Sequence, residues 1–364
     1  MLHVLFTLDY EIHGNGEGDP SALMVEPTNR LMDLLEPYGA KLTIMADVAE
    51  ILKFKQYRDR VGRDDFHYEA IADQLRQAIR RGHDVQLHLH SSYFNATFNG
   101  SQWEQDWAEY NFAGLPLPRM EQVVAQGREF LEKLLKPVEQ RYNCIAFRAA
   151  NWSVNPSPNV IRALVNNGIL IDTSVFKYGK RKGLVSFDYS SAYSEIRPWK
   201  IGETDICQSD DDGNLTELPI YSEHRWIGAF LSRNRIHRVL VSKRHPILNP
   251  YQNASKRDWK EQLLGKVKQL ISRHAWKADF NQCTGHQLKR ALKRAAKKHD
   301  STGTARLPFN TIGHSKLFDD ANARSLVPFL AFVRDNPSRF AFETLSFWQD
   351  VTPRTPANLV ASGI

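Results

Sequence analysis

Seven polar residues stand where an apolar run ends, and their types are those that bind divalent cations and move protons. Asp9 and Glu11 follow the run His3–Leu8, while His88 and His90 close Asp84–Leu89. Arg148 ends Ile145–Arg148, Asp172 ends Ile169–Asp172, and His314 follows Leu307–Ile312. Taken singly, each has a plain reading: Asp-x-Glu at a strand end is ordinarily a solvated turn, and a lone arginine neutralises a neighbour. Side chains at the C-terminal ends of parallel barrel strands, however, converge on one mouth. A carboxylate pair, two histidines two residues apart on one side of a strand, an arginine and a third histidine would together hold a metal ion and supply an acid and a base.

The elements that must position them follow from hydrophobic periodicity. Short apolar runs predict strands at the five sites above and at Lys41–Met45, Thr216–Ile220 and Phe340–Leu345. Amphipathic spacing predicts helices over Glu26–Pro37, Tyr68–Arg81 and Met120–Leu135, and Ser157-Pro158 starts another. Alternation of this kind is the signature of an α/β fold with parallel strands. The strands begin at once at the N-terminus, with no basic and apolar leader, so no secretion signal is expected.

Three widely spaced cysteines, Cys144, Cys207 and Cys283, suit neither a disulfide framework nor a Cys-based zinc site and point to a reducing cytoplasm. Charge is unevenly placed. Between Glu223 and Asp300 there are 19 Lys and Arg against 5 Asp and Glu, a surplus of +14 that leaves the rest of a chain of net charge +7 at −7. Residues 232–300 break the strand–helix alternation and read as a basic helical insertion within one domain spanning 1–364. Trp259–Trp276 predicts an amphipathic helix, and Gln287–Lys298 is a second basic stretch. Three roles are open to them: packing on the barrel with solvated lysines, lying on an anionic membrane surface at the cytoplasmic face of the inner membrane, or forming a rim for an anionic glycan, lipid-linked or nucleotide-linked sugar. No nucleic-acid motif accompanies the charge.

The ordered motifs resemble those of the polysaccharide deacetylase (NodB-homology, carbohydrate esterase family 4-like) superfamily. Thr7-Leu8-Asp9-Tyr10-Glu11 resembles its first motif, T-F-D-D-G, in a D-x-E form, and Gly82–His88 resembles the approach to its metal histidines. Phe147-Arg148-Ala149-Ala150-Asn151-Trp152, Asp172-Thr173-Ser174 and Thr311-Ile312-Gly313-His314 are similar to the later motifs, in the family's order and across most of the chain. The resemblance implies a distorted (β/α)7 barrel and a hydrolase that removes acetyl groups, chiefly N-acetyl, from a sugar or polysaccharide precursor in surface or capsular polysaccharide assembly. It implies Asp9 as catalytic base, Arg148 as its holder, His314 as general acid and Asp172 as the carboxylate orienting that acid. Trp152, with Tyr10 and Asn151, would line the substrate site. A divalent metal, zinc or else cobalt or nickel, is implied, with two departures in its ligands. Tyr10 stands where the metal carboxylate is usual, which makes Glu11 the substitute, and Ser92 stands where the second histidine is usual, which leaves His90 to join His88. A metal-independent, allantoinase-like amide hydrolase on the same fold and an inactive saccharide-binding protein are the alternatives.

Overall fold

In a computed structural model, residues 1–244, 272–300 and 306–349 are described. Seven parallel strands carry the fold: β1 Leu2–Tyr10, β2 Leu42–Asp47, β3 Asp84–Leu89, β4 Ala146–Ala149, β5 Ile171–Asp172, β7 Leu215–Glu217 and β10 Leu307–His314. An antiparallel edge strand, β6 Trp199–Ile201, precedes β7, and the order across the sheet is β6-β7-β5-β4-β3-β2-β1-β10. The last strand, β11 Phe340–Glu343, pairs with the first half of β1, and β2 pairs with its second half. The sheet curls until its ends approach: Tyr221 N donates to Asn310 O at 2.9 Å, and Ala278–Phe280 bond to Ile312 on the free side of β10. This is the distorted barrel that the motif resemblance implies, built on the parallel strands that the alternating pattern predicts.

Period-two alternation divides each strand between two cores. Leu5, Met45, Ala146, Ile171 and Leu218 point into the barrel and form its floor with Leu345 and Trp348. Their sequence neighbours Val4, Phe6, Leu8, Ile44, Leu87 and Phe147 face outward, into the larger core under the helices. The helices are α1 Glu26–Leu35, α2 Val48–Val61, α3 Tyr68–Arg80, α4 Leu117–Leu135, α5 Pro158–Asn166, α6 Arg233–Arg244, α7 Gly285–His299 and α8 Asp320–Arg334. Asp47 ends β2 and at once caps α2, its Oδ1 accepting from Ala49 N at 3.1 Å.

The described residues include part of the basic stretch. Helix α7 starts on a Thr284/Gln287 capping box and buries Leu288, Ala291, Leu292, Ala295 and Ala296, so its apolar side packs on the barrel as the first of the three readings has it. The helix expected over Trp259–Trp276 is corrected at its end: Arg273–Lys277 is strand β9, antiparallel to β8 Ser222–Trp226. Cross-strand pairing overrides local helical spacing there. Residues 259–271 lie outside the described residues.

Candidate active site

Alternation along β1 carries Thr7 and Asp9 into the barrel, and Glu11 follows them into its mouth. Four other elements meet them there. Arg148 on β4 is fully buried and donates from one terminal nitrogen to Asp9 Oδ1 (2.7 Å) and from the other to Thr7 Oγ1 (2.8 Å), while its Nε donates to Thr173 O (3.0 Å). Asn310 on β10 ties the same group, donating to Thr173 Oγ1 at 2.8 Å. Burial favours a neutral Asp9, but Arg148, His88 and His314 outweigh it and hold the carboxyl below its ordinary range. Asp9 is therefore a carboxylate at neutral pH. Its other oxygen, Oδ2, lies 3.6 Å from His314 Nε2.

Beside Asp9 is a second cluster, made by Glu11, His88, His90 and Asp47, each offering a ligand atom within 4.8 Å of the others. His88 Nδ1 is 2.8 Å from Arg148 O. A carbonyl only accepts, so a proton sits on Nδ1, and Nε2, 3.6 Å from Glu11 Oε2, is the nitrogen left to face a cation; burial opposes charge on this ring, but Asp9 and Glu11 raise its pKa. His90 Nε2 is 3.2 Å from Glu11 Oε2, and its Nδ1 is 2.9 Å from Asp47 Oδ2. These contacts are close but poorly aligned, so Glu11 Oε2, Asp47 Oδ2 and His90 Nδ1 are all buried without a hydrogen bond. Buried carboxylate oxygens left unpaired around two imidazoles form a donor set suited to a divalent cation. Glu11, His88, His90 and Asp47 therefore fit a metal. Burial opposes charge on His90, yet Glu11 and Asp47 lift its pKa well above the usual value. Glu50 lies behind it, pushed up to about 7 by burial and by Asp47. Lys316 closes the ring, 2.9 Å from Glu11 Oε1.

The cavity above these groups measures about 370 Å³ and is lined also by His13, Gln105, Tyr110, Asn151, Trp152, Arg181 and Arg238. Asn151 and Trp152 both have φ of 56°, a left-handed conformation that non-glycine residues seldom adopt. Tyr189 holds this strained turn, donating to Trp152 O at 2.5 Å and accepting from Val154 N at 3.1 Å. The turn sets the Trp152 ring edge-on to His314, with centroids 5.9 Å apart. His314 itself is drawn down to about 4, chiefly by burial and against the pull of Asp9, Glu11 and Asp279, so it is neutral at rest.

No protein-family model matches the chain, and no curated protein matches it. Solved structures do. A probable polysaccharide deacetylase of Pseudomonas aeruginosa aligns over 97% of this chain and 93% of its own, at 14% identity and a TM-score of 0.48. The allantoinase PuuE aligns over 97% and 92%, also at 14% and 0.48. A GH57-type branching enzyme of Pyrococcus horikoshii aligns over 97% and 71%, at 12% and 0.49. Likenesses this distant leave the chemistry to the residues of the site.

Asp9, Glu11, His88, His90, Arg148, Asn151, Trp152 and His314 all meet in the one mouth, as drawn from the sequence. Two others do not. Tyr10, expected to touch substrate, alternates to the outer face, where it is fully buried and donates to Gln74 Oε1 at 2.6 Å. Asp172, expected to orient His314, also faces outward, because Ile171 and Thr173 take the inward positions of that strand. It accepts instead from Ser174 N (3.1 Å) and Ser174 Oγ (2.8 Å), and Ser174 Oγ accepts from Ala149 N. Asp172 lies against Glu217, whose pKa is raised well above the carboxylate range by burial and by Asp172. A raised folded pKa stabilises at low pH and is lost as pH climbs through it. Glu217→Gln is accordingly expected to show a shallower loss of stability than the parent as pH rises from the ordinary carboxylate range through the raised Glu217 pKa. Asp172→Asn should cost about 1–3 kcal/mol of stability, as for a lost buried acceptor, and leave the pH profile of turnover in place. A moved profile would return Asp172 to the proton path.

Asp47 lies two residues past Met45, where the apolar run ends, and the alternation Thr43, Met45, Asp47 along β2 is the signal that places it inward. Lys316, two residues past β10, carries no such signal.

Proposed function

We propose that the chain is a hydrolase that removes an acetyl group, chiefly N-acetyl, from a sugar or polysaccharide precursor. One observation carries the reading: an ionised Asp9, locked by Arg148, sits between His314 on one side and the Glu11/His88/His90/Asp47 donor set on the other. A divalent metal held by that set would lower the pKa of bound water and polarise the acetyl carbonyl. Asp9 accepts the proton of the attacking water. His314 Nε2, neutral and facing Asp9 Oδ2, is placed to receive that proton and pass it to the departing amine, without which the C–N bond breaks slowly. Arg148 keeps Asp9 ionised between turnovers. Trp152 packs the sugar against His314. Release of acetate from N-acetylated oligosaccharides is the deciding assay, and a chain inert towards all acetylated sugars tested would be a binding protein instead.

A metal-independent amide hydrolase remains as a second reading because Lys316 already neutralises Glu11. Metal analysis together with chelation separates the two.

We place the reaction in a reducing compartment, in surface polysaccharide assembly. Three buried, unpaired cysteines support the compartment. Among the described residues, no helix is long and apolar enough to cross a membrane. A peripheral membrane contact is supported by Trp226, Ile227, Leu231, Ile236, Val239 and Leu240, which are exposed along one stretch whose helix, Arg233–Arg244, carries no acidic residue. We expect the protein to float with vesicles containing anionic lipid at low salt and to be released at high salt. Failure to float at low salt would remove the membrane contact.

A further inference from the structure

Cations without acidic partners gather on one side of the catalytic mouth. Arg181 and Arg238 line the cavity, and Arg181 bonds to Asn151 Oδ1 at 3.0 Å. Lys277, at the end of β9, projects its ammonium over the Trp152 ring, 3.3 Å from the centroid, and over Phe176 at 4.5 Å. Among the described residues none of these three cations forms an ion pair. Burial drives the Lys277 amine down to about 7 against the pull of Asp279 and Asp9, so a bound anion would favour its charged form.

Phe176 meets Trp152 edge-on, with centroids 5.8 Å apart, and also lines a second cavity of about 790 Å³. That cavity is built from aromatic rings and cations: Tyr178 stacked on His224 at 4.8 Å, Arg235 over Phe230 at 4.6 Å, with Arg273 and His274 beside them. Among the described residues no Asp or Glu lines it. Of the strand acids beside it, Asp188 is engaged by Lys180 at 3.0 Å, and Glu223 by Arg294 at 2.9 Å and Arg225 at 3.5 Å. A partly buried cation without a counter-ion is costly. A ligand that brings the missing negative charge recovers that cost, and aromatic walls accept the apolar faces of sugar rings.

We infer that the substrate is an anionic saccharide, with its acetylated sugar over Asp9 and His314 and a neighbouring phosphate or carboxylate against Lys277 and in the cation-lined cavity that Phe176 also lines. This rests on the deacetylase reading and narrows it to a substrate class. Phosphate would come from a sugar linked to a diphosphate, and carboxylate from a uronate-containing glycan.

Calorimetric titration with three probes tests it: UDP-N-acetylglucosamine, an N-acetylated oligosaccharide containing uronic acid, and neutral chitotetraose. One anionic probe should bind at least about tenfold more tightly than the neutral one at low salt, and the margin should shrink as screening increases. Which anion wins identifies the source of the charge. Lys277→Met should erase most of the margin and Lys277→Arg should keep it. If Lys277→Met fails to fold, Arg235→Ala and Arg273→Ala, on the second cavity, should each reduce the margin severalfold. Equal affinity for all three probes, or a margin indifferent to salt and to these substitutions, would overturn the inference. Acetate release reports separately. Release from chitotetraose with no anionic preference leaves the deacetylase standing without this inference, whereas salt-sensitive anion binding without acetate release from any probe removes the deacetylase and leaves the anion site.

Discussion

Asp9→Asn is expected to lower turnover by about 10²–10⁴-fold, the usual contribution of a positioned acid–base group. Three features make the loss specific to proton transfer. The carboxylate is ionised at neutral pH because Arg148 holds it at 2.7 Å. Its free oxygen faces His314 Nε2 at 3.6 Å. Its position is over-determined, since Arg148 is itself fixed by Thr7 and Thr173. Asparagine keeps the shape but not the basicity. The substitution also leaves a buried guanidinium without its anion, which destabilises by roughly 3–5 kcal/mol when a buried pair is broken, so the rate is to be read well below the variant's own unfolding transition. His314→Ala should fall in the same range. Near-parental turnover in folded Asp9→Asn would remove Asp9 as the base.

The second large effect concerns metal. The purified protein should carry about one equivalent of zinc, cobalt or nickel, as a mononuclear site with N and O ligands does. Both metal and activity should be lost on chelation and in His88→Ala. His88 is the sharpest choice because its tautomer is set by the protein: Nδ1 is spent on the Arg148 carbonyl, leaving Nε2 for the ion. Asp47→Asn should weaken metal retention by at least about 10–100-fold, the range for a lost supporting partner, because its Oδ2 belongs to the donor set and also lies 2.9 Å from His90 Nδ1. Full activity in chelated, metal-free protein would favour the metal-independent reading, with Lys316 serving as the permanent counter-ion of Glu11.

Much of this site was legible as periodicity. A strand that alternates every second residue must place Thr7, Asp9 and Glu11 on one side, and likewise His88 and His90, so spacing alone put the reactive residues together in pairs. The order of strand ends named the mouth they share. The same rule, strictly applied, argues against Tyr10, which sits one residue out of phase with Asp9. Asp172 was harder to judge, because a two-residue strand offers too little alternation to reveal its phase.

Local sequence, then, determined the alternating strands and helices, the parallel class of the sheet and the inward phase of Asp9, Arg148 and His314, because these depend on periods of two and 3.6 residues. Tertiary structure alone decided the partners. Whether Asp47 or Asp172 supports a histidine, whether Trp276 lies in a helix or a strand, and whether Lys277 reaches Trp152 all depend on contacts between elements far apart in the chain. Those contacts are set by strand order and barrel curvature, and no local pattern encodes them.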